Sequence, residues 1–329
     1  MSNKKDNNRV SVCIKSILLA VSILLFAEQY AYLNFPKLRS AQYGEDPVLF
    51  WKIARPLPGQ SVDPYESCNS YHMREKDDKV IHPSVMMLGD SCTYGIRVHP
   101  SETIPGHLNK ILQKDSGVPF RVYNAGCPGY SSQQSYYFLK RLAPVYKPDI
   151  IIVADYYGDC GYDYIKDCDR LPPEPLLTMK ELLWKSSAYL VLRDWFQKKF
   201  TSSCNSSSDD KSPKVLRVMP EEYYANVKKI KELGRQYGSC LTIITYYPKN
   251  GENYIDELYA PYMKKLQDDH TLFVDLREIW NVKRQTEPDD FIDDMHFSGK
   301  GCGLVAGDLA EIIEGREEFK ELCRRYKSQ

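Results

Sequence analysis

The stretch Val85-Met86-Met87-Leu88-Gly89-Asp90-Ser91-Cys92-Thr93-Tyr94-Gly95 decides the fold. An apolar run without charge, closed by Gly-Asp-Ser, reads as a parallel strand buried on both faces that ends in a tight turn. The turn presents Ser91. A serine hydroxyl attacks a carbonyl only with help, so a nucleophilic Ser91 requires a base, a carboxylate to orient that base, and donors for the oxyanion.

Working outward, Ser101 reads as the N-cap of a helix from Pro105 to Lys114, and Arg121 to Gly126 as a second short strand. Ser132 to Tyr146 has helical spacing, and Pro148-Asp149-Ile150-Ile151-Ile152-Val153-Ala154 is a third, β-branched strand. This alternation predicts a parallel sheet with right-handed crossovers. Ligands bind beyond the carboxyl ends of such strands, where Ser91, Gly126 and Gly158-Asp159 all fall. The rhythm resumes with a charged helix from Pro220 to Tyr237, a strand from Cys240 to Tyr247 and a helix from Tyr254 to Gln267. A last strand, Thr271 to Leu276, precedes a helix from about Gly299 to Ile313 that Ser298 can cap.

The base is sought in Asp293-Asp294-Met295-His296-Phe297-Ser298-Gly299. One loop there can present both Asp293 and His296 to a cavity, the carboxylate holding the imidazole in its productive tautomer. Asp294 has the wrong spacing and is read as solvent-facing. The two stretches together resemble the SGNH (GDSL) hydrolase family, whose first block reads Gly-Asp-Ser-x-Thr-x-Gly and whose last reads Asp-x-x-His. Upstream, Asn69-Ser70-Tyr71-His72-Met73-Arg74 resembles the Asn-x-x-Gly-x-Arg approach of bacterial members, with His72 at the glycine.

The resemblance implies a three-layer α/β/α domain, flavodoxin-like, with five parallel strands, and a triad of Ser91, His296 and Asp293. It also implies an oxyanion hole from the N–H of Ser91, the N–H of Gly126 and the side-chain amide of a third-block asparagine. That block reads Tyr156-Tyr157-Gly158-Asp159, which puts Gly158 at the asparagine position and removes the side-chain donor. Loss of one such donor can cost about 10² to 10³ in rate. An ionised Asp159 offers no donor, so either another residue donates, Tyr156 or Tyr157, or the activity is slow, or it is lost; Tyr156, Tyr157 and Asp159 are read as substrate-facing.

Lysine plus arginine equal aspartate plus glutamate at 44 each in 329 residues, which argues against nucleic acid as partner. The 25 tyrosines suit half-buried and sugar-facing surfaces as well as ordinary core positions. No spacing points to a metal site, and no cofactor is expected. Lys4, Lys5, Arg9 and Lys15 precede a charge-free segment from Ser16 to Ala27, with Tyr30 and Tyr32 beyond. Counted from Ile14 to Leu33 it reaches about 20 residues, a membrane anchor or an uncleaved signal, with the remainder outside the cytoplasm. A removed signal peptide is the alternative.

The expected organisation is an anchor or signal at 1–33, a proline-rich stalk at 34–79 and an SGNH-like domain at 80–329. An insertion at about 160–213 breaks that domain, holding an amphipathic helix from Leu176 to Phe200 read as a lid or as an external packing helix. Of the 10 cysteines, Cys160 and Cys168 are the pair expected to bond, whereas Cys92 and Cys127 are expected to stay thiols. Asn205-Ser206-Ser207 is formally a glycosylation sequon. The leading reading is a membrane-anchored serine esterase acting on O-acyl groups, acetyl or another short acyl, of a glycan or lipid. An O-acyltransferase using the same acyl-enzyme is close behind, and a glycan-binding scaffold that has lost activity is the third.

Overall fold

Ser84–Gly89 (β1) carries no charge and has no solvent-facing side, so every residue of it is buried. A strand with two buried faces needs a neighbour on each edge and a layer of helix above and below. In the computed structural model, which describes residues 2–35, 43–53, 68–76, 78–201, 214–246, 249, 254–283 and 287–328, it has both. Arg121–Gly126 (β2) pairs with one edge and Ile150–Ala154 (β3) with the other, both parallel. Cys240–Ile244 (β4) and Thr271–Val274 (β5) continue the sheet in the order β2-β1-β3-β4-β5. This is the expected flavodoxin-like arrangement. Gly89 stands opposite both Gly126 and Ala154, so the carboxyl ends of β2, β1 and β3 form one rim.

The helices of this unit are Ile104–Ser116 (α1), Ser132–Tyr146 (α2), Pro220–Gln236 (α3), Tyr254–Lys264 (α4), Leu276–Lys283 (α5), Gly299–Gly315 (α6) and Glu317–Lys327 (α7). Helix α1 packs on α6, while α2 packs on α3 and α3 on α4. Right-handed crossovers place these two groups on opposite faces of the sheet, which makes three layers. Ile104, Leu108 and Leu112 recur every four residues on the buried side of α1.

Its N-cap is Thr103, whose Oγ1 accepts from the Gly106 N–H at 3.1 Å, and not Ser101. The reason is local: Pro100–Glu102 is a separate 3₁₀ turn, so Ser101 lies outside the first turn of α1. Ser298 caps α6 as expected, accepting from Gly301 N–H at 3.2 Å. The last strand stops at Val274, because Asp275 takes the Arg277 N–H on its carboxylate and turns the chain into α5.

The chain forms two compact units, Lys52–Leu171 with Ser212–Gln329, and Met1–Trp51 with Pro172–Lys211. The ends of the expected insertion therefore stay with the sheet. Tyr162–Asp163 pairs with Val215–Leu216, and Arg217 meets the fully buried Asp167 carboxylate at 2.8 Å. In the other unit the N-terminal segment is one helix, Ser2–Asn34, of which Ile14–Asn34 is long and apolar enough to cross a membrane.

The helix expected from Leu176 to Phe200 is two helices, Glu174–Trp184 and Ser187–Thr201. Ser186 breaks it by capping the second, with its Oγ accepting from Tyr189 N–H at 3.1 Å. The sequon at Asn205 lies outside the described residues.

Candidate active site

Beyond Gly89 the chain makes a single helical turn, Ser91–Tyr94. Asp90 caps it, accepting the Cys92 N–H at 2.9 Å, and Gly95 closes it at φ 76°. A side chain at Gly89 would lie 2.1 Å from Thr93 Oγ1 and 2.6 Å from the Ala154 carbonyl oxygen, so only glycine lets the turn fold back onto the strand ends.

The carbonyls at the far end of this turn all face Arg74. Its guanidinium donates to Tyr94 O, to Gly95 O at 2.6 Å and to Val98 O at 2.7 Å, and lies 4.3 Å from the centre of the Tyr94 ring. A buried cation on a helix C-terminus satisfies orphan carbonyls and complements their dipole. His72, two residues earlier, has φ 64°, the left-handed conformation that glycine adopts without cost. The Asn69–Arg74 stretch thus clamps the turn that carries Ser91. The spacing of His72 and Arg74 in the sequence was the available signal for it.

Opposite, an isolated bridge between Phe291 and Phe297 closes the loop bearing the histidine, with Ile292 N–H donating to His296 O at 2.8 Å. The Phe297 ring packs against Phe291 and Trp280, which holds the loop's base in the core. His296 Nε2 lies 2.8 Å from Ser91 Oγ, and its Nδ1 lies 3.0 and 2.9 Å from the two oxygens of Asp293. With a carboxylate on Nδ1, that nitrogen carries the proton and Nε2 is left to accept from the hydroxyl.

Asp293 Oδ1 also accepts the N–H groups of Met295 and His296, at 3.0 and 2.8 Å. Partial burial works against its ionisation. The His296 and Met295 hydrogen bonds outweigh it and lower the pKa to about 2. Asp294 is exposed, as expected.

The second-block glycine behaves differently from expectation. Gly126 donates its N–H to Asn124 Oδ1 at 3.0 Å, and a Cβ there would lie 2.4 Å from the Tyr94 nitrogen. It is a close-packing position, with its donor already occupied. Three residues on, Pro128-Gly129 forms a turn closed by Tyr130 N–H to Cys127 O at 3.0 Å, with Gly129 at φ 76°. That is type II geometry, and Pro-Gly was its sequence signal. Cys127 N–H donates to Gly89 O at 2.9 Å, so the turn starts beside the end of β1. Among the described residues no acceptor takes the Gly129 N–H.

The third block supplies no side-chain donor at 158. A Cβ on Gly158 would lie 1.7 Å from the Tyr130 carbonyl oxygen, so the missing asparagine is a consequence of how closely this turn meets the second block. Asp159 does not face a substrate. It is fully buried and accepts Ser132 Oγ at 2.7 Å and Ser132 N–H at 3.0 Å, anchoring the start of α2. Burial, and after it the neighbouring Asp155, push its pKa up. Asp90 is likewise pushed up to about 7, chiefly by burial. Tyr157 is half-buried with its ring 6.1 Å from that of Tyr246, at 21°; the side chain of Tyr156 lies outside the described residues.

Cys92 and Cys127 are buried thiols. No disulfide joins Cys160 to Cys168. Cys160 is buried while Cys168 is exposed, with its Sγ 3.4 Å from Glu222.

No family model and no curated protein matches the sequence. Among solved structures the chain is similar to TesA, at 14% identity and a TM-score of 0.46 over 70% of this chain and 98% of that one. It is similar to the psychrotrophic esterase EstA from Pseudoalteromonas sp., at 12% identity and 0.44 over 70% and 97%. A third is the Clostridium thermocellum family 3 carbohydrate esterase, at 14% and 0.42 over 70% and 98%.

Proposed function

We propose that this chain is a serine esterase of the SGNH (GDSL) type, with Ser91 as nucleophile, His296 as general base and Asp293 as the carboxylate that orients it. The observation that carries the reading is the Ser91 Oγ to His296 Nε2 contact at 2.8 Å, continued to Asp293 at 2.9 Å. His296 takes the hydroxyl proton as Ser91 attacks the ester carbonyl. The imidazolium then returns it to the departing alcohol, which leaves an acyl-enzyme that water hydrolyses.

The oxyanion falls to two backbone donors and one side-chain hydroxyl. Ser91 N–H opens the helical turn, and we assign the second donor to Gly129 in place of Gly126. The third belongs to a tyrosine of the Tyr156–Asp159 turn. Tyr156→Phe and Tyr157→Phe variants that both keep the full rate would show that two backbone donors suffice.

The substrate proposed is an O-acyl ester of a glycan or lipid, with a short acyl group, met outside the cytoplasm by a chain held through its N-terminal helix. Hydrolysis of p-nitrophenyl esters of graded length by the wild type and by Ser91→Ala tests the reaction. A wild-type rate no higher than that of Ser91→Ala refutes it. Transfer to a sugar hydroxyl uses the same acyl-enzyme, and mass spectrometry of reactions with and without an oligosaccharide acceptor separates it from hydrolysis.

A further inference from the structure

We propose that the helices Glu174–Trp184 and Ser187–Thr201 lie on the outer surface of the membrane entered by the N-terminal helix, with one apolar stripe set among the acyl chains just below the headgroups. This rests on reading Ser2–Asn34 as an anchor. Arg9 and Glu28 bracket the apolar part of that helix, and the rise between them is about 28 Å, close to the thickness of a hydrocarbon core. Glu28 therefore stands at the outer boundary, with Tyr30 and Tyr32 beyond it at headgroup level. Lys15 reaches the inner boundary by extending its stem.

Glu28 also fixes the insertion. Its carboxylate accepts Ser186 Oγ at 2.7 Å, Ser187 N–H at 2.7 Å and Ala188 N–H at 3.0 Å, the first donors of the second helix. A negative charge at a helix N-terminus is favourable, and the same helix packs against the N-terminal one. The start of Ser187–Thr201 is thereby held at the depth of Glu28.

From that point Leu192, Trp195 and Phe196 follow at i, i+3 and i+4, and Met179, Leu182 and Leu183 repeat the spacing on the preceding helix. All six are between 41% and 68% exposed. Side chains of this size gathered on two adjoining helices are costly in water. Acidic Glu181 and Asp194 stand among these residues, while two cations sit on indoles: Arg193, which also pairs with Glu45, lies 4.4 Å from the Trp184 ring centre and Lys199 4.8 Å from that of Trp195. Tryptophan with a neighbouring cation suits the headgroup layer, where the ring is half-immersed and the cation meets phosphate. Attachment to a membrane helix, with cations beside the apolar stripe, favours lipid over a protein partner.

The test uses the full chain in phosphatidylcholine–phosphatidylglycerol vesicles containing a phosphatidylcholine with a photoactivatable diazirine on its acyl chain, with adducts mapped by mass spectrometry. Adducts are expected in 174–201 as well as in 14–27. Leu182→Glu, Leu192→Glu and Phe196→Glu together should lower those in 174–201 by about tenfold and leave the N-terminal helix labelled. Adducts confined to the N-terminal helix overturn the inference and leave the anchor reading standing, as does labelling of 174–201 that the triple variant does not change. A chain that neither labels nor floats with vesicles overturns the anchor reading itself.

Discussion

Two short helical turns leave the carboxyl ends of neighbouring strands, and they do opposite things. After β1, Asp90 is spent on capping and Arg74 gathers the carbonyls, and the Ser91 hydroxyl faces His296. After β3, Gly158 is pressed against the Tyr130 carbonyl and Asp159 is consumed in holding α2. The first turn is built to present a side chain, the second to withdraw one. A Gly-Asp pair occurs in both, so the dipeptide alone does not say which role a turn plays. The neighbours decide: a buried guanidinium beneath one, a helix N-terminus beside the other.

The largest effect expected from breaking this contrast is at the presented serine. Ser91→Ala should reduce ester hydrolysis by about 10⁴-fold or more, with His296→Ala close to it because the two act as a unit. Steady-state kinetics on a p-nitrophenyl ester reads this, and additive losses in the double variant would contradict a shared role.

Removing the clamp comes next. Arg74→Ala strands buried carbonyl groups and should cost about 3 kcal/mol or more in urea unfolding, with Arg74→Lys recovering only part. An unchanged urea midpoint would show that Arg74 does not hold the turn.

The withdrawn turn can be forced the other way. Gly158→Asn places the family's donor by name, but the clash with Tyr130 should cost about 2–3 kcal/mol and give no gain in rate. A faster, equally stable variant would mean the turn has room that the 1.7 Å approach denies.

The smallest effect is on pH dependence. Asp90 titrates at about 7 in the fold, because burial dominates and Asp155 adds repulsion, against about 3.9 unfolded. The folded chain therefore holds this proton more tightly. The stability it contributes is complete below about pH 4 and is lost as the pH rises through 7. Urea midpoints should fall from pH 5 to pH 8.5, and Asp90→Asn should flatten that slope. Asp293 works in the opposite sense: its folded pKa is lowered, so it stays ionised beside His296 down to about pH 2.

Much of this was legible in the sequence because the deciding signals are local. A charge-free strand, a Gly-Asp-Ser turn and an Asp-x-x-His loop each follow from a handful of consecutive residues; the parallel sheet follows from the alternation of strands and helices, and its order from the family resemblance. What escaped depends on contacts remote along the chain. Asn124 taking the Gly126 N–H and Ser132 claiming Asp159 are choices among equally plausible partners. Helix α5 was hidden because Asp275 ends a strand and begins a helix within two residues. The break at Ser186 depends on a glutamate from the other end of the chain.

Fluorophosphonate labelling of the folded chain, with the adduct mapped by mass spectrometry, tests the central claim most directly. The account predicts a single adduct on Ser91 in the wild type and its near disappearance in His296→Ala. A correctly folded wild type that leaves Ser91 unmodified would contradict it.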